Sequence, residues 1–394
     1  MGFYDHFTVW PSEALSRRIR SVSDGDVRRV LNKHRLSPAD MLCLLSPAAE
    51  SHLETLAHKA HALTIAQFGR TMVLFTPLYL SNYCTNGCQY CSFSRDNRIE
   101  RRKLNYDEVE TEAQAIAASG LKHILILTGD APAIASVEYI ADCCRVLARY
   151  FTAIGLEVYA LTEVEYRYLI WAGVDSLTIY QETYNESLYA NLHPKGPKRD
   201  YRFRLDAPDR ACRAGMRAVN VGALLGLSDW RQEAFFTMLH ASYLQDRYPE
   251  TEIGVSLPRI RPHVGGFQPA FQVEDRHIVQ IMTALRLFMP RVGITISTRE
   301  SAWFRDRILP LGATRMSAGS CTAVGGHTEG DQGTGQFEIS DERSVPEMAA
   351  MLRASGWQAV YEDWHGLARV KAPLGRLKHR QISPSSQTVD AVTL

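Results

Sequence analysis

Over residues 1 to about 70, apolar positions recur at three- and four-residue spacing, the period of helices with one buried face. Ser23-Asp24-Gly25-Asp26 is placed to cap the run Val27 to Lys33, and Ser37-Pro38-Ala39-Asp40 sets proline at the first position of a second helix. Glu50 to Phe68 carries Leu53, Leu56, Ala57, Ala60 and Leu63 on one face and predicts a third. From Thr71 the rhythm changes. Short apolar runs predict strands at Met72 to Leu80, His123 to Thr128, Leu156 to Leu161, Ser176 to Tyr180, Ala218 to Leu224, Glu252 to Leu257, Gly293 to Ser297 and, weakly, Thr314 to Ser317. Helical patterns fall between them, near Asp107 to Ser119, Val137 to Tyr150, Glu163 to Trp171, Pro208 to Ala214, Trp230 to Asp246, Asp275 to Met289 and Ser301 to Leu309. Runs such as His123 to Thr128 do not alternate, so both faces of these strands are buried, the signature of a parallel sheet. Eight strands separated by helices over about 250 residues predict an α/β fold, a closed (βα)8 barrel. Periodicity leaves a doubly wound open sheet as the alternative.

The expected organisation is an N-terminal helical extension over 1–70, the barrel over 71–320 and a C-terminal extension over 321–394. The extension comprises a glycine-rich loop from Ala323 to Gly335, a helix over Ser344 to Ser355 and a disordered tail from Gln381. Its loop lacks the Gly-Lys-Ser/Thr ending of a phosphate cradle, so a connector is the plainer reading. With 44 Lys+Arg against 43 Asp+Glu the formal net charge is +1, and no global field attracts nucleic acid or an anionic membrane. No apolar run approaches the roughly 18 residues of a membrane span. The first residues, Met1 to His6, do not follow a secretory pattern, which makes the cytoplasm the expected location.

Eight cysteines are too few for a disulfide scaffold in a chain of 394 residues. Three of them, Cys84, Cys88 and Cys91, form C-x3-C-x2-C directly after the first predicted strand. In a barrel that is the face where active sites are built. Three such thiolates hold three irons of a [4Fe-4S] cluster and leave the fourth open to a small molecule. Gly87 gives the backbone freedom to fold around it. Structural zinc is the competing reading and wants a fourth ligand, yet no His occurs from Ala62 to Lys122. Three unliganded core cysteines are the third possibility.

The motif resembles that of the radical S-adenosylmethionine (SAM) enzymes. Longer stretches are similar to the 2-iminoacetate synthases within that family: Leu45-Ser46-Pro47-Ala48-Ala49, Pro77 to Asn82, Tyr180-Gln181-Glu182-Thr183-Tyr184, Gly222 to Asp229, Ser297 to Ser301 and Trp303 to Arg307. The likeness covers roughly residues 25 to 370. It implies a lyase that binds a [4Fe-4S] cluster and SAM, cleaves the Cα–Cβ bond of L-tyrosine to 2-iminoacetate and p-cresol, and serves thiamine thiazole formation. It also implies a thiazole synthase partner and a flavodoxin or ferredoxin electron donor.

Residue by residue, the resemblance marks Asp130, where family members carry Glu, as a contact for the SAM amino group. Gln181 and Glu182 match a polar pair near its ribose. Tyr79, Arg299 and Ser317 match an anchor for the substrate carboxylate, and a guanidinium suits that task because it donates two parallel hydrogen bonds. The plainer alternatives are a helix N-cap for Asp130, a surface loop for Gln181 and Glu182, and rim salt bridges or hydrogen bonds for the anchor residues. Arg259 and Arg261 either line the cavity or pair with Glu274 or Asp275. Arg95, Arg98, Arg101, Arg102 and Lys103 form a basic cluster that suits RNA or an acidic donor, or else a solvated loop. Related readings are a tryptophan lyase and the tyrosine lyase of hydrogenase maturation, which carries further C-terminal cluster cysteines. Here Cys321 is the last cysteine. An RNA-modifying radical enzyme and a zinc-stabilised binding protein complete the alternatives.

Overall fold

A computed structural model describes residues 2–330 and 333–362. Eight parallel strands follow one another round the sheet: β1 (Thr71–Ser81), β2 (His123–Thr128), β3 (Ala153–Glu157), β4 (Ser176–Glu182), β5 (Ala218–Ala223), β6 (Glu252–Ser256), β7 (Gly293–Ile296) and β8 (Arg315–Ser317). The sheet closes at β1, which pairs with β2 from Thr76↔Ile124 to Ser81↔Thr128 and with β8 from Val73↔Arg315 to Phe75↔Ser317. Each barrel strand therefore has two neighbours, and the open-sheet alternative is excluded. A further strand, β9 (Gln358–Val360), has no signal in the apolar pattern and pairs in parallel with Thr71 to Val73.

Parallel neighbours need long crossovers, and helices supply them. Their starts are locally encoded: Asn105 and Glu108 form a reciprocal capping box at helix Tyr106–Ala117, as do Thr162 and Glu165 at helix Glu163–Trp171. The N-terminal helices follow the same rule, with Ser23 capping Asp24–Leu31 and Ser37 capping Pro38–Leu44. The third begins as a 3-10 turn, Pro47–His52, and becomes α-helical only over Leu53–Phe68. This layer is bonded to the barrel: Gln280, fully buried on helix Asp275–Phe288, donates through Nε2 to the Leu44 and Ser46 carbonyls at 2.9 Å each.

Three expectations need correction. The third strand runs from Ala153 to Glu157, not from Leu156 to Leu161. The apolar run continues past the strand because Val158, Tyr159 and Leu161 remain buried after leaving it, so hydrophobicity alone misplaces the strand end. Between β4 and β5, two short helices, Glu186–Leu192 and Tyr201–Leu205, precede the expected one at Ala207–Arg213. The glycine-rich segment is more than a connector. Glu112 accepts the amides of His327 (3.1 Å) and Thr328 (2.9 Å), and His327 Nε2 donates to the Pro77 carbonyl at 2.9 Å. The tail expected from Gln381 lies outside the described residues. Among the described residues, no helix is long and apolar enough to cross a membrane.

After β8 the chain is tied down by a buried charge network. Arg305, on helix Ala302–Arg307, donates to Asp341 at 2.5 Å and to the Ser317 carbonyl, and Arg343 donates to the same carboxylate at 2.6 Å. Both the Arg305 and Asp341 side chains are 0% exposed. Removing one partner of a buried pair leaves an uncompensated charge, so Asp341→Asn is expected to cost about 3–5 kcal/mol of unfolding free energy. A urea titration checks this; a loss near 1 kcal/mol or less would mean that the Ser317 carbonyl, the Asn amide and water satisfy the Arg305 guanidinium.

Candidate active site

The segment between β1 and helix Tyr106–Ala117 carries the three clustered cysteines, and its own basic residues brace it. The Arg101 guanidinium donates to the carbonyls of Asn82 (2.7 Å), Phe93 (2.9 Å) and Ser94 (2.7 Å). Arg102 pairs with Glu108 at 2.8 Å and with Glu329, and Lys103 donates to the Ile134 carbonyl at 3.0 Å. Three of the five clustered cations are thus committed to internal partners, which weakens the case for an RNA surface.

Two glycines permit the close approaches that seat the loop. A Cβ on Gly129 would lie 2.2 Å from the Tyr83 carbonyl oxygen, so only glycine lets the end of β2 meet the cysteine loop. Gly196, at φ 85°, packs against Asn86, where a Cβ would fall 2.2 Å from Oδ1. Gly87 serves a different purpose from the backbone freedom expected of it: its φ is ordinary, and a Cβ there would crowd Asp96 (3.0 Å) and Lys195 (3.2 Å).

Cys84, Cys88 and Cys91 line one cavity of about 950 Å³ at the C-terminal ends of the strands. Burial pushes the Cys88 thiol up to about 12 and raises Cys91, while a backbone amide bond from Phe93 opposes the rise at Cys91. Gln336 Nε2 lies 3.8 Å from Cys91 Sγ. Among the described residues, no three His, Cys, Asp or Glu side chains gather tightly enough to hold a single metal ion. Three thiols lining one cavity fit a [4Fe-4S] cluster with one open iron, whereas structural zinc normally takes four cysteine or histidine ligands.

Asp130 follows β2 and lines the same cavity. It does not cap a helix; Ser136 caps the next one. Instead, Asn86 Nδ2 donates to its carboxylate at 2.7 Å, and burial raises its pKa against that bond. Glu182 ends β4 in the cavity wall, held by Lys198 (2.6 Å) and Arg204 (3.3 Å), whose charges outweigh burial and lower its pKa. At φ 71° it is the one non-glycine residue with positive φ among the described residues, and the β4 register shifts between Tyr180 and Glu182. Such a conformation costs of order 1–3 kcal/mol and is held in place by the surrounding contacts. Gln181 does not join it. Thr178, Tyr180 and Glu182 line the cavity in alternation, and Gln181 lies between them, buried, with neither amide atom hydrogen-bonded.

A second cavity, about 580 Å³, lies beside the first and shares Glu157, Tyr180, Arg299 and Phe337 with it. Tyr79, Arg299 and Ser317 all line it. Tyr79 donates to Gln336 Oε1 at 2.8 Å, Ser317 Oγ accepts the Thr298 amide at 3.0 Å, and the Arg299 guanidinium stacks 3.4 Å from the Phe337 ring centre. The two flanking arginines differ. Arg259 is consumed by Glu300 and by Asp275 at 2.7 Å, whereas Arg261 reaches Glu300 only at 3.4 Å, lines the first cavity and leaves its Nε unpartnered. Gln336, Phe337, Lys198, Arg204 and Glu157 are the residues that sequence reasoning missed. A strand ending at Glu157 would have marked that carboxylate; for Gln336 and Phe337 no local signal exists.

Gly129→Ala tests the seating of the loop. The added methyl is expected to cost about 1–3 kcal/mol by overpacking and to lower the iron retained after anaerobic reconstitution. Unchanged iron content and melting temperature would show that the Tyr83 backbone has room to retreat.

Comparison with known proteins agrees with this site. The Radical SAM superfamily model matches residues 78–239, and the Biotin and Thiamin Synthesis associated domain model matches 256–358. The chain is 41% identical to 2-iminoacetate synthase of Escherichia coli over 92% of its own length and 96% of that protein's. It is 39% identical to the Salmonella typhimurium 2-iminoacetate synthase over the same shares. In structure it resembles HydG, a maturase of the [FeFe]-hydrogenase, with a TM-score of 0.85 and 30% identity, covering 89% of this chain and 80% of that one. The three-thiol cavity at the strand ends, the closed parallel barrel and this degree of identity place the chain in the radical SAM family, among the 2-iminoacetate synthases.

Proposed function

We propose that this enzyme is a radical SAM carbon–carbon lyase that cleaves the Cα–Cβ bond of L-tyrosine to 2-iminoacetate and p-cresol, with SAM consumed to 5'-deoxyadenosine and methionine. The observation that carries the reading is the adjacency of two cavities, one walled by three thiols and the other by Tyr79, Arg299 and Ser317, sharing four residues. When bound, the cluster and SAM supply the primary carbon radical that starts the reaction. The chain's own residues bind and orient. Cys84, Cys88 and Cys91 hold the irons. Asp130 and Glu182 present carboxylates to the SAM side of the cavity, and Lys198 and Arg204 keep Glu182 charged there. Arg299 grips the tyrosine carboxylate through two parallel hydrogen bonds, with the Tyr79 and Ser317 hydroxyls beside it. Stacking on Phe337 holds the guanidinium plane, so little rotamer freedom is left to lose on binding.

The product serves thiamine thiazole formation in the cytoplasm, with a thiazole synthase as the acceptor and a flavodoxin or ferredoxin as the electron source. The likeness to the 2-iminoacetate synthases of two bacteria supports this assignment.

Anaerobic enzyme incubated with a reductant and SAM is expected to release p-cresol from tyrosine and no indole product from tryptophan. Formation of 5'-deoxyadenosine without p-cresol would reject tyrosine as substrate. Cys88→Ala is expected to lose iron and all SAM cleavage. Arg299→Lys keeps the charge but not the fork, and is expected to raise KM for tyrosine by about tenfold or more, the value of one charge-assisted hydrogen bond; unchanged tyrosine kinetics would remove the anchor role.

A further inference from the structure

Glu157 is the one carboxylate that belongs to both cavities. It ends β3, and among the described residues no hydrogen bond or ion pair engages it, although six charged or phenolic groups face it. Arg299 lies beyond the end of β7, Glu182 and Tyr180 lie on β4, Lys198 and Arg204 follow β4, and Tyr79 lies on β1. Lys198 and Arg204 are already paired with Glu182. Arg299 forms no ion pair among the described residues; it donates only to the Arg259 carbonyl, at 3.3 Å, and stacks on Phe337. A carboxylate and a guanidinium thus face one cavity without closing on each other. That arrangement complements an α-amino acid, which carries a carboxylate and an ammonium on the same carbon.

The chemistry assigned to this site requires an amine in a particular state. Cleavage of Cα–Cβ to leave an imine is initiated, in that reading, by removing a hydrogen atom from the amine nitrogen, and a neutral amine, which has a lone pair, gives it up more readily than an ammonium ion. Tyrosine arrives as an ammonium ion, so one proton must leave first. Resting on the tyrosine-lyase reading above, we propose that Glu157 is the catalytic base that takes this proton from the substrate ammonium. In that step an N–H bond breaks heterolytically, the electron pair stays on nitrogen, and an O–H bond forms on the Glu157 carboxylate. No oxidant or reductant enters. With the substrate carboxylate on Arg299, the ammonium sits one carbon away, on the side of the cavity that Glu157 shares.

Burial raises the Glu157 carboxyl to about 7, with Arg299 partly opposing the rise. An ordinary carboxylate, at about 4.3, would be too weak a base for an ammonium ion, whereas a group near neutrality narrows the mismatch. The sign follows directly. Glu157 is charged and competent above about pH 7 and becomes protonated below it, so wild-type turnover should fall on the acid side of neutrality.

The test compares wild type, Glu157→Gln and Glu157→Asp, each reconstituted anaerobically, with p-cresol followed from pH 6 to 9. Iron content and tyrosine binding without SAM are measured in parallel. Glu157→Gln is expected to keep its iron, to bind tyrosine within a few-fold of wild type and to lose about 10²- to 10⁴-fold in kcat near neutrality. Its residual rate should climb tenfold per pH unit toward alkaline pH, as solution deprotonation of the amine replaces the base. Glu157→Asp should retain part of the rate together with an acid limb. A Gln variant with wild-type kcat and pH profile, or with a defect confined to KM, overturns the assignment. If the Gln variant fails to retain iron, the Asp variant decides: an unshifted profile at full rate rejects the base. Should wild type itself make no p-cresol, the substrate assignment fails rather than this one.

Discussion

Closure of the sheet at β1 is the constraint on which the rest depends. Because β1 is bonded on one side to β2 and on the other to β8, the two ends of the βα series meet, and residues more than two hundred positions apart share one rim. Tyr79 on β1, Glu157 at the end of β3, Arg299 after β7 and Ser317 on β8 converge only in that circle. In an open sheet of the same strands, β1 and β8 would lie apart, and a cavity walled by Tyr79 and Ser317 would have no floor. Backbone pairing therefore does more for the chemistry here than any single side-chain contact.

Around that rim, several buried carboxylates are matched by arginine or lysine. Arg305 and Arg343 neutralise Asp341, Arg259 neutralises Glu300, and Lys198 and Arg204 neutralise Glu182. Leaving a buried charge alone costs several kcal/mol, so such pairs are expected throughout the interior. Against that background, Arg299 and Glu157 stand out because they face the cavities together without a mutual salt bridge among the described residues. A site prepared for a zwitterion leaves one cation and one anion available, and the protein carries the cost of their burial before the ligand arrives.

The sequence was informative where chemistry is local. Cys84, Cys88 and Cys91 are recognisable from spacing alone, because one loop supplies all three, and their cavity contains all three. Helix starts at Ser23, Ser37 and Ser344 are equally readable, since a cap needs only its next three residues. Reading fails where a residue's surroundings are distant. Apolar Val158, Tyr159 and Leu161 disguise the end of β3, which hides Glu157. Gln181 looks like half of a polar pair, yet strand alternation turns it away from the cavity that Glu182 lines. The basic run ending at Lys103 looks like a binding face, yet Arg101 spends its donors on the loop's own carbonyls.

Taken by itself, the sequence determined the alternation of strand and helix and the cluster motif, because periodicity, capping and spacing act within a few residues of one another; the family followed from the resemblance of longer stretches. The tertiary structure decided closure, the adjacency of two cavities, and the recruitment of Gln336 and Phe337, just beyond a glycine-rich segment anchored through Glu112 and Pro77. It also decided which charges are spent on structure and which remain for a ligand. These outcomes depend on contacts between residues far apart in the chain, where the energy of a pair is set by burial and distance, and neither quantity exists until the barrel has closed.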